Sequence, residues 1–119
     1  MPLLGEIREL ALPGVKLVDV ALLPDERGFF AEIMRRDWSS IFEDEIVQAN
    51  LSFSYPGIVR AWHRHTRGQV DYFLVVQGAA KICAYDDEES TTSTKCPLVG
   101  DPSSSSYAQI FAAPCTTRK

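Results

Sequence analysis

Residues 57–78 read GIVRAWHRHTRGQVDYFLVVQG and hold the pattern from which the fold can be predicted. A run of β-branched and aromatic residues at 70–76 predicts a strand, and a glycine ends it. Residues two positions apart on an extended strand share a face. His63 and His65 are therefore predicted to point the same way, with Arg64 pointing the opposite way. The stretch predicts β-structure with two imidazoles on one face.

Similar short apolar runs recur before this stretch, at 15–23, 29–34 and 45–53, and turn residues separate them. After it, residues 79–85 are predicted to pair back on 70–76 as a hairpin. Short strands at regular spacing, without a long amphipathic helix, indicate an antiparallel sandwich or barrel. We therefore predict an all-β, jelly-roll-like antiparallel barrel or sandwich.

The composition changes near residue 87. Residues 88–119 are rich in serine and threonine and hold few large apolar side chains, which predicts partial order. Within this tail only 107–112 has the pattern of a strand, and we expect it to pair at an edge of the sheet. The predicted organisation is a β domain at 1–87 followed by the tail.

Composition and charge narrow the class of protein. The 119 residues are 45% hydrophobic and 24% charged, as in an ordinary globular domain. The net charge is −4 without a block of lysine and arginine, so no nucleic-acid surface is expected. No apolar run is long enough to cross a membrane, and we expect a soluble, cytoplasmic protein. Its three cysteines, Cys83, Cys96 and Cys115, are then expected to be reduced thiols.

The histidine stretch has the layout of the first cupin motif, and three further landmarks make a resemblance more specific. These are DERGFF at 25–30, QANLS at 48–52 and PGIVRAWH at 56–63. Over about residues 15–87 the chain resembles the dTDP-4-dehydrorhamnose 3,5-epimerase family. The resemblance implies a cupin barrel, a homodimer, and a nucleotide-sugar or other small-molecule ligand. We expect no cofactor, and we expect a homodimer or a strand-swapped homo-oligomer to close the core.

The same resemblance implies roles for single residues. His63 would be the base that removes a proton next to the sugar ketone, a task that a neutral imidazole suits at cellular pH. Arg60 would stabilise the enolate or bind phosphate. The implied substrate-binding residues are Arg27, which suits bidentate contacts to a diphosphate, with Gln48, Asn50, Ser52 and Glu32.

The chain departs from the family pattern at three places. Asp71 stands at the family's lysine, and His65 stands at its glutamine. Nothing after residue 87 resembles the half of the barrel that carries the acid tyrosine and the aspartate that orients the histidine. We therefore expect a truncated barrel with impaired catalysis. Two alternatives stay open: a non-catalytic sugar or nucleotide-sugar binding module, and a small cupin that binds a divalent transition metal through His63, His65 and Asp71.

Overall fold

The computed structural model of the chain describes residues 4–9, 14–42, 45–61, 63, 70–86, 97–102, 107–113 and 117–118. The strands within these residues are β1 (Leu4–Glu9), β2 (Lys16–Ala21), β3 (Leu23–Asp25), β4 (Gly28–Phe30), β5 (Asp71–Leu74), β6 (Ala79–Lys81), β7 (Tyr85–Asp86), β8 (Leu98–Gly100), β9 (Tyr107–Ala113) and β10 (Thr117–Arg118). Every pairing is antiparallel, which confirms the predicted all-β, cupin-like class.

A four-stranded sheet in the order β1-β2-β9-β5 forms the centre of the molecule. β9 pairs with β2 on one side and with β5 on the other. The expectation that 107–112 lies at a sheet edge is therefore wrong, because the strand lies in the interior of the sheet. The expected hairpin of 70–76 with 79–85 is also absent, since β5 pairs with β9 while β6 pairs with β8.

Both faces of this sheet are apolar, because β2 and β9 bury side chains at consecutive positions. The first face carries the buried residues Val15, Leu17, Ala84, Val99, Phe111 and Ala113, with Phe73, Val75 and Ile82 packed against them. The second face carries Val18, Val20, Ile41, Phe42, Ala108, Ile110 and Ala112. β9 is therefore buried on both faces and paired along both edges.

Smaller pairs of strands surround the sheet. β3 and β4 form a hairpin in which Asp25 lies opposite Gly28, and the φ of 142° at Gly28 is one that only glycine adopts readily. On the second face of the sheet, the turn at 38–42 closes when the Phe42 N–H donates to the Trp38 carbonyl at 2.9 Å. The described residues include no helix of the length and apolarity required for a membrane span.

Cys83 follows β6 and is half-buried. It forms a disulfide bond, so the expectation of three reduced thiols is wrong. The other two cysteines of the chain lie outside the described residues. An odd number of widely spaced cysteines carries no signal of a disulfide framework in the sequence, whereas a bond needs only two of them to meet in space.

Candidate functional site

Most of the predicted site residues lie on one extended and exposed segment, residues 45–61, which we call the exposed segment. The structure assigns no strand to it, so the strand predicted at 45–53 is absent. Its backbone pairs with no other strand of the described chain, and its apolar side chains point largely into solvent. Val47 and Leu51, for example, are each 87% exposed. The β-like residue pattern is present, but no strand in the described part of the chain pairs with it.

Two amide side chains lie against each other on this segment. Gln48 donates from Nε2 to Oδ1 of Asn50 at 3.1 Å, as expected for neighbours two positions apart on one face of extended chain. Both side chains are exposed, and each amide retains further donor and acceptor capacity. Ser52, the next residue with the same spacing, is exposed as well. The arrangement offers a row of uncharged hydrogen-bonding groups to a polar ligand.

Arg60 folds back along the exposed segment instead of extending away from it. Its Nε donates to Oγ of Ser54 at 2.7 Å, and its Nη2 donates to the carbonyl of Phe53 at 2.9 Å. The fold-back follows a turn in which Gly57 has a φ of 81°, in the left-handed region that glycine tolerates. A guanidinium has five N–H donors. The N–H groups of Arg60 that these two hydrogen bonds do not use are held in a defined direction and can bind an anion.

His63 lies three residues after Arg60 and is exposed. Within the part of the chain that the structure describes, no carboxylate contacts its imidazole. A base of this kind is usually oriented by such a partner. His65 lies outside the described residues, and Asp71 begins β5, where it is half-buried.

Arg27 is at the tip of the β3–β4 hairpin, away from the exposed segment in sequence. Its Nη2 contacts Oδ2 of Asp25 at 2.8 Å, and its backbone N–H donates to Oδ1 of the same carboxylate at 2.8 Å. Both hydrogen bonds lower the pKa of the Asp25 carboxyl, and the side-chain bond lowers it more than the backbone bond does. The Arg27 side chain is 82% exposed. The guanidinium can therefore turn toward a diphosphate, but the diphosphate must compete with the Asp25 carboxylate for it.

Glu32 is engaged in an ion pair. Arg35 contacts it through Nη1 at 3.0 Å and also forms two hydrogen bonds of 2.8 Å with Asp37. The bonds from Arg35 lower the pKa of Asp37, and the two carboxylates raise the pKa of Arg35. The Glu32 carboxylate thus faces a cation of its own chain, and a role in binding substrate stays a prediction.

No group of three potential metal ligands comes together among the residues that the structure describes. Of the three ligands in the metal hypothesis, His63 is exposed and Asp71 belongs to the central sheet, and His65 falls outside the described chain. The metal alternative therefore stays a prediction.

A polar cluster on the first face of the sheet was not predicted. Asp19, whose side chain is 15% exposed, accepts hydrogen bonds from Nη2 of Arg8 at 3.0 Å and Nε2 of Gln109 at 3.4 Å. The three residues come from β1, β2 and β9, which are neighbours in the sheet. The only signal in the sequence is a single carboxylate within the apolar run 15–23. Its partners are 11 and 90 residues away, so the sequence alone does not reveal them.

Comparison with known proteins finds a family and several relatives that resemble this chain. The family model described as dTDP-4-dehydrorhamnose 3,5-epimerase matches residues 9–99, a range that begins before and ends after the 15–87 predicted from the landmarks. The chain is 39% identical over 77 residues to the probable low-salt glycan biosynthesis epimerase Agl13 of Haloferax volcanii, covering 65% of this chain and 49% of that protein.

Two further relatives are similar at a comparable level. The chain is 36% identical over 80 residues to the spore coat polysaccharide biosynthesis protein SpsL of Bacillus subtilis, covering 67% of this chain and 51% of that one. It is also 36% identical over 89 residues to a dTDP-4-dehydrorhamnose 3,5-epimerase of Neisseria gonorrhoeae, covering 72% and 27%. The chain thus spans about half or less of the length of these relatives. No solved structure matches it significantly.

Proposed function

The chain belongs to the dTDP-4-dehydrorhamnose 3,5-epimerase family, and from that premise we propose that it binds and epimerises a dTDP-linked 4-keto-6-deoxy sugar. The observation that carries the proposal is the succession of polar groups on the exposed segment and just beyond it. The amide pair Gln48–Asn50, the tethered guanidinium of Arg60 and the exposed imidazole of His63 follow one another within 16 residues. They supply hydrogen bonds, a cation and a base.

The proposed chemistry begins at a carbon next to the sugar ketone. The His63 imidazole takes the proton, and the electron pair of the broken C–H bond moves into an enolate. Arg60 stabilises the negative charge on the enolate oxygen. A proton from a solvent water on the opposite face of the same carbon then inverts the centre, and the His63 imidazolium returns its proton to the resulting hydroxide through solvent. Asp71, at the position of the family's lysine, brings no positive charge to this intermediate, and catalysis is therefore expected to be slow.

The experiment that tests the proposal is solvent-proton exchange. The protein is incubated with dTDP-4-keto-6-deoxyglucose in deuterated water, and deuterium at C3 and C5 is followed by NMR. Incorporation is expected, and it should disappear in His63→Asn, which keeps the size of the side chain but removes the base. Parent protein that incorporates no more deuterium than His63→Asn would contradict the epimerase activity for this substrate.

The proposal includes a homodimer, which would cover the exposed segment. Large apolar side chains are exposed along it, among them Val47 and Val59 at 87% and 84%. Contiguous apolar surface of this kind marks protein interfaces. A second copy seated here would also exclude water from the base and the enolate. Sedimentation velocity should show a dimer for the parent and a monomer for Leu51→Asp, whereas a monomeric parent would contradict this part of the proposal.

A second candidate function is a non-catalytic module that binds the same class of ligand. The observation that favours it is the exposed His63 with no carboxylate in contact among the described residues. Calorimetric titration with the nucleotide sugar, combined with the exchange experiment, separates the two functions, because the module binds the ligand but incorporates no deuterium. The metal-cupin alternative makes a different prediction, a stoichiometric transition metal in the purified protein, which elemental analysis measures directly.

A further inference from the structure

A serine of the exposed segment holds the guanidinium of Arg60. The Ser54 Oγ accepts a hydrogen bond from Arg60 Nε at 2.7 Å, and the carbonyl of Phe53 accepts a second one from Nη2 at 2.9 Å. The intervening turn brings these groups together, since the Ile58 N–H donates to the Tyr55 carbonyl at 3.3 Å. Two anchors fix the plane of the guanidinium, whereas a single anchor would let it pivot.

The two anchored atoms lie on one edge of the guanidinium. Nε and Nη2 form its lateral edge, and each terminal nitrogen carries two N–H groups. The terminal edge, made of Nη1 and Nη2, therefore keeps one N–H group from each nitrogen for another partner. Such a parallel pair matches the oxygens of a phosphate and places positive charge beside a single oxyanion. Arg60 is thus arranged to meet a ligand end-on.

Ser54 belongs to the same row of side chains as the amide pair. Residues two positions apart share a face of extended chain, and this spacing joins Gln48, Asn50, Ser52 and Ser54. The guanidinium of Arg60 joins the row at its end, through its bond to the Ser54 hydroxyl. The anchored cation therefore lies beside the polar groups that are proposed to bind the nucleotide sugar.

We propose that Ser54 is a positioning residue, which fixes Arg60 so that the terminal edge of its guanidinium meets an oxyanion of the ligand. The inference rests on the function proposed above. The oxyanion is the enolate oxygen or a phosphate group of the same nucleotide sugar, because both present negatively charged oxygen to the fork. Fixing the side chain beforehand favours binding, since a mobile arginine loses rotamer freedom when a ligand immobilises it.

Heteronuclear NMR of the guanidinium groups tests the anchoring without ligand. The Nε–H of Arg60 is expected to exchange slowly with water, and its signal is assigned by its disappearance in Arg60→Lys. Exchange should be about tenfold faster in Ser54→Ala, as for the loss of about one hydrogen bond, and should stay slow in Ser54→Thr, which keeps the hydroxyl. Ser39→Ala, which removes another exposed serine hydroxyl, is the control. Equally fast exchange in the parent and Ser54→Ala would overturn the proposal.

Ligand measurements then identify the oxyanion. If it is a phosphate group, Ser54→Ala should bind dTDP about tenfold more weakly than the parent in calorimetric titration. If it is the enolate, the affinity stays the same and deuterium incorporation at saturating nucleotide sugar slows by about tenfold, because the contact forms only after the proton has left. Ser54→Thr should restore whichever property is lost. A Ser54→Ala variant that matches the parent in both measurements, or a Ser54→Thr variant that restores neither, would overturn the proposal.

This proposal and the epimerase proposal fail in different ways. A parent that incorporates no deuterium contradicts the epimerase activity, and the affinity of Ser54→Ala for dTDP then decides the role of Ser54. A parent that incorporates deuterium, beside a Ser54→Ala variant with the same rate and the same affinity, keeps the epimerase and removes the role of Ser54. A parent that neither incorporates deuterium nor binds dTDP contradicts both.

Discussion

Asp19 on β2 accepts a hydrogen bond from Arg8 on β1, with 3.0 Å between Oδ1 and Nη2. The carboxylate lies on the first face of the sheet beside a largely apolar core, and Gln109 of β9 approaches it from the other side. The backbone is close here too, because a Cβ at Gly5 would lie 3.0 Å from the Asp19 carbonyl oxygen. A half-buried carboxylate is stable only when it is paired. This pair therefore ties β1 to the central sheet.

Asp19→Ala is expected to lower the free energy of unfolding by about 1–2 kcal/mol, because it leaves the partly buried Arg8 guanidinium without its acceptor. Arg8→Ala should cost about 1 kcal/mol or less, since its side chain is 40% exposed and solvent screens the pair. The double variant should lose less than the sum of the two. Urea unfolding provides the measurement, with the exposed Arg36→Ala as the control; strict additivity would mean that the pair is not coupled.

Phe111 is 0% exposed at the middle of β9, where it packs on the first face of the sheet. Phe111→Ala is expected to cost about 3–5 kcal/mol because it removes buried surface and leaves a cavity. A loss of that size approaches the whole stability of a small domain, so Phe111→Leu serves as the milder variant. Phe29→Ala, which changes a side chain that is 52% exposed, is the control and should have little effect. Equal losses at both positions by urea unfolding would contradict the placement of β9.

Asp25 and Asp37 should titrate below the ordinary pKa of an aspartate, each because an arginine two residues later or earlier binds its charged form. Since the folded-state pKa is lowered, any stability that each pair contributes is present above the unfolded pKa of ~3.9 and is lost as the pH falls through the folded value. NMR titration of the carboxyl carbons measures both groups.

Two variants make this titration specific. Arg27→Ala should raise the pKa of Asp25 toward its ordinary range, because it removes the side-chain hydrogen bond but keeps the backbone one, and it should leave Asp37 unchanged. Arg35→Ala should do the reverse, so each variant is the control for the other. If both aspartates titrate normally in the parent, the ion pairs do not persist in solution.

Gln48→Ala is expected to weaken binding of the nucleotide sugar about tenfold, which corresponds to the loss of about one good hydrogen bond. Arg60→Lys should weaken it as well, since lysine keeps the charge but loses the directed donors of the guanidinium. Gln77→Ala, another exposed glutamine, should bind as the parent does. Calorimetric titration measures all three, and unchanged affinity in Gln48→Ala would remove the amide pair from the site.

The sequence by itself predicted the all-β class, because short runs of β-branched and aromatic residues between turn signals favour strands. It placed a strand at 70–76, which the structure has at Asp71–Leu74, and a turn between β3 and β4 around Gly28. The landmarks at 25–30, 48–52 and 56–63 also led to the family, because they are local motifs that keep their spacing along the chain.

Only the tertiary structure decided which strands meet. β9 lies between β2 and β5, and its pairing and burial depend on residues far away in the sequence. The same holds for the Asp19 cluster, where the carboxylate is recognisable in the sequence but its partners are set by the register of the strands. Strand residues without a partner stay exposed, as the segment 45–61 shows. The local residue pattern specifies that a segment tends to form a strand, and long-range packing specifies which other strand pairs with it.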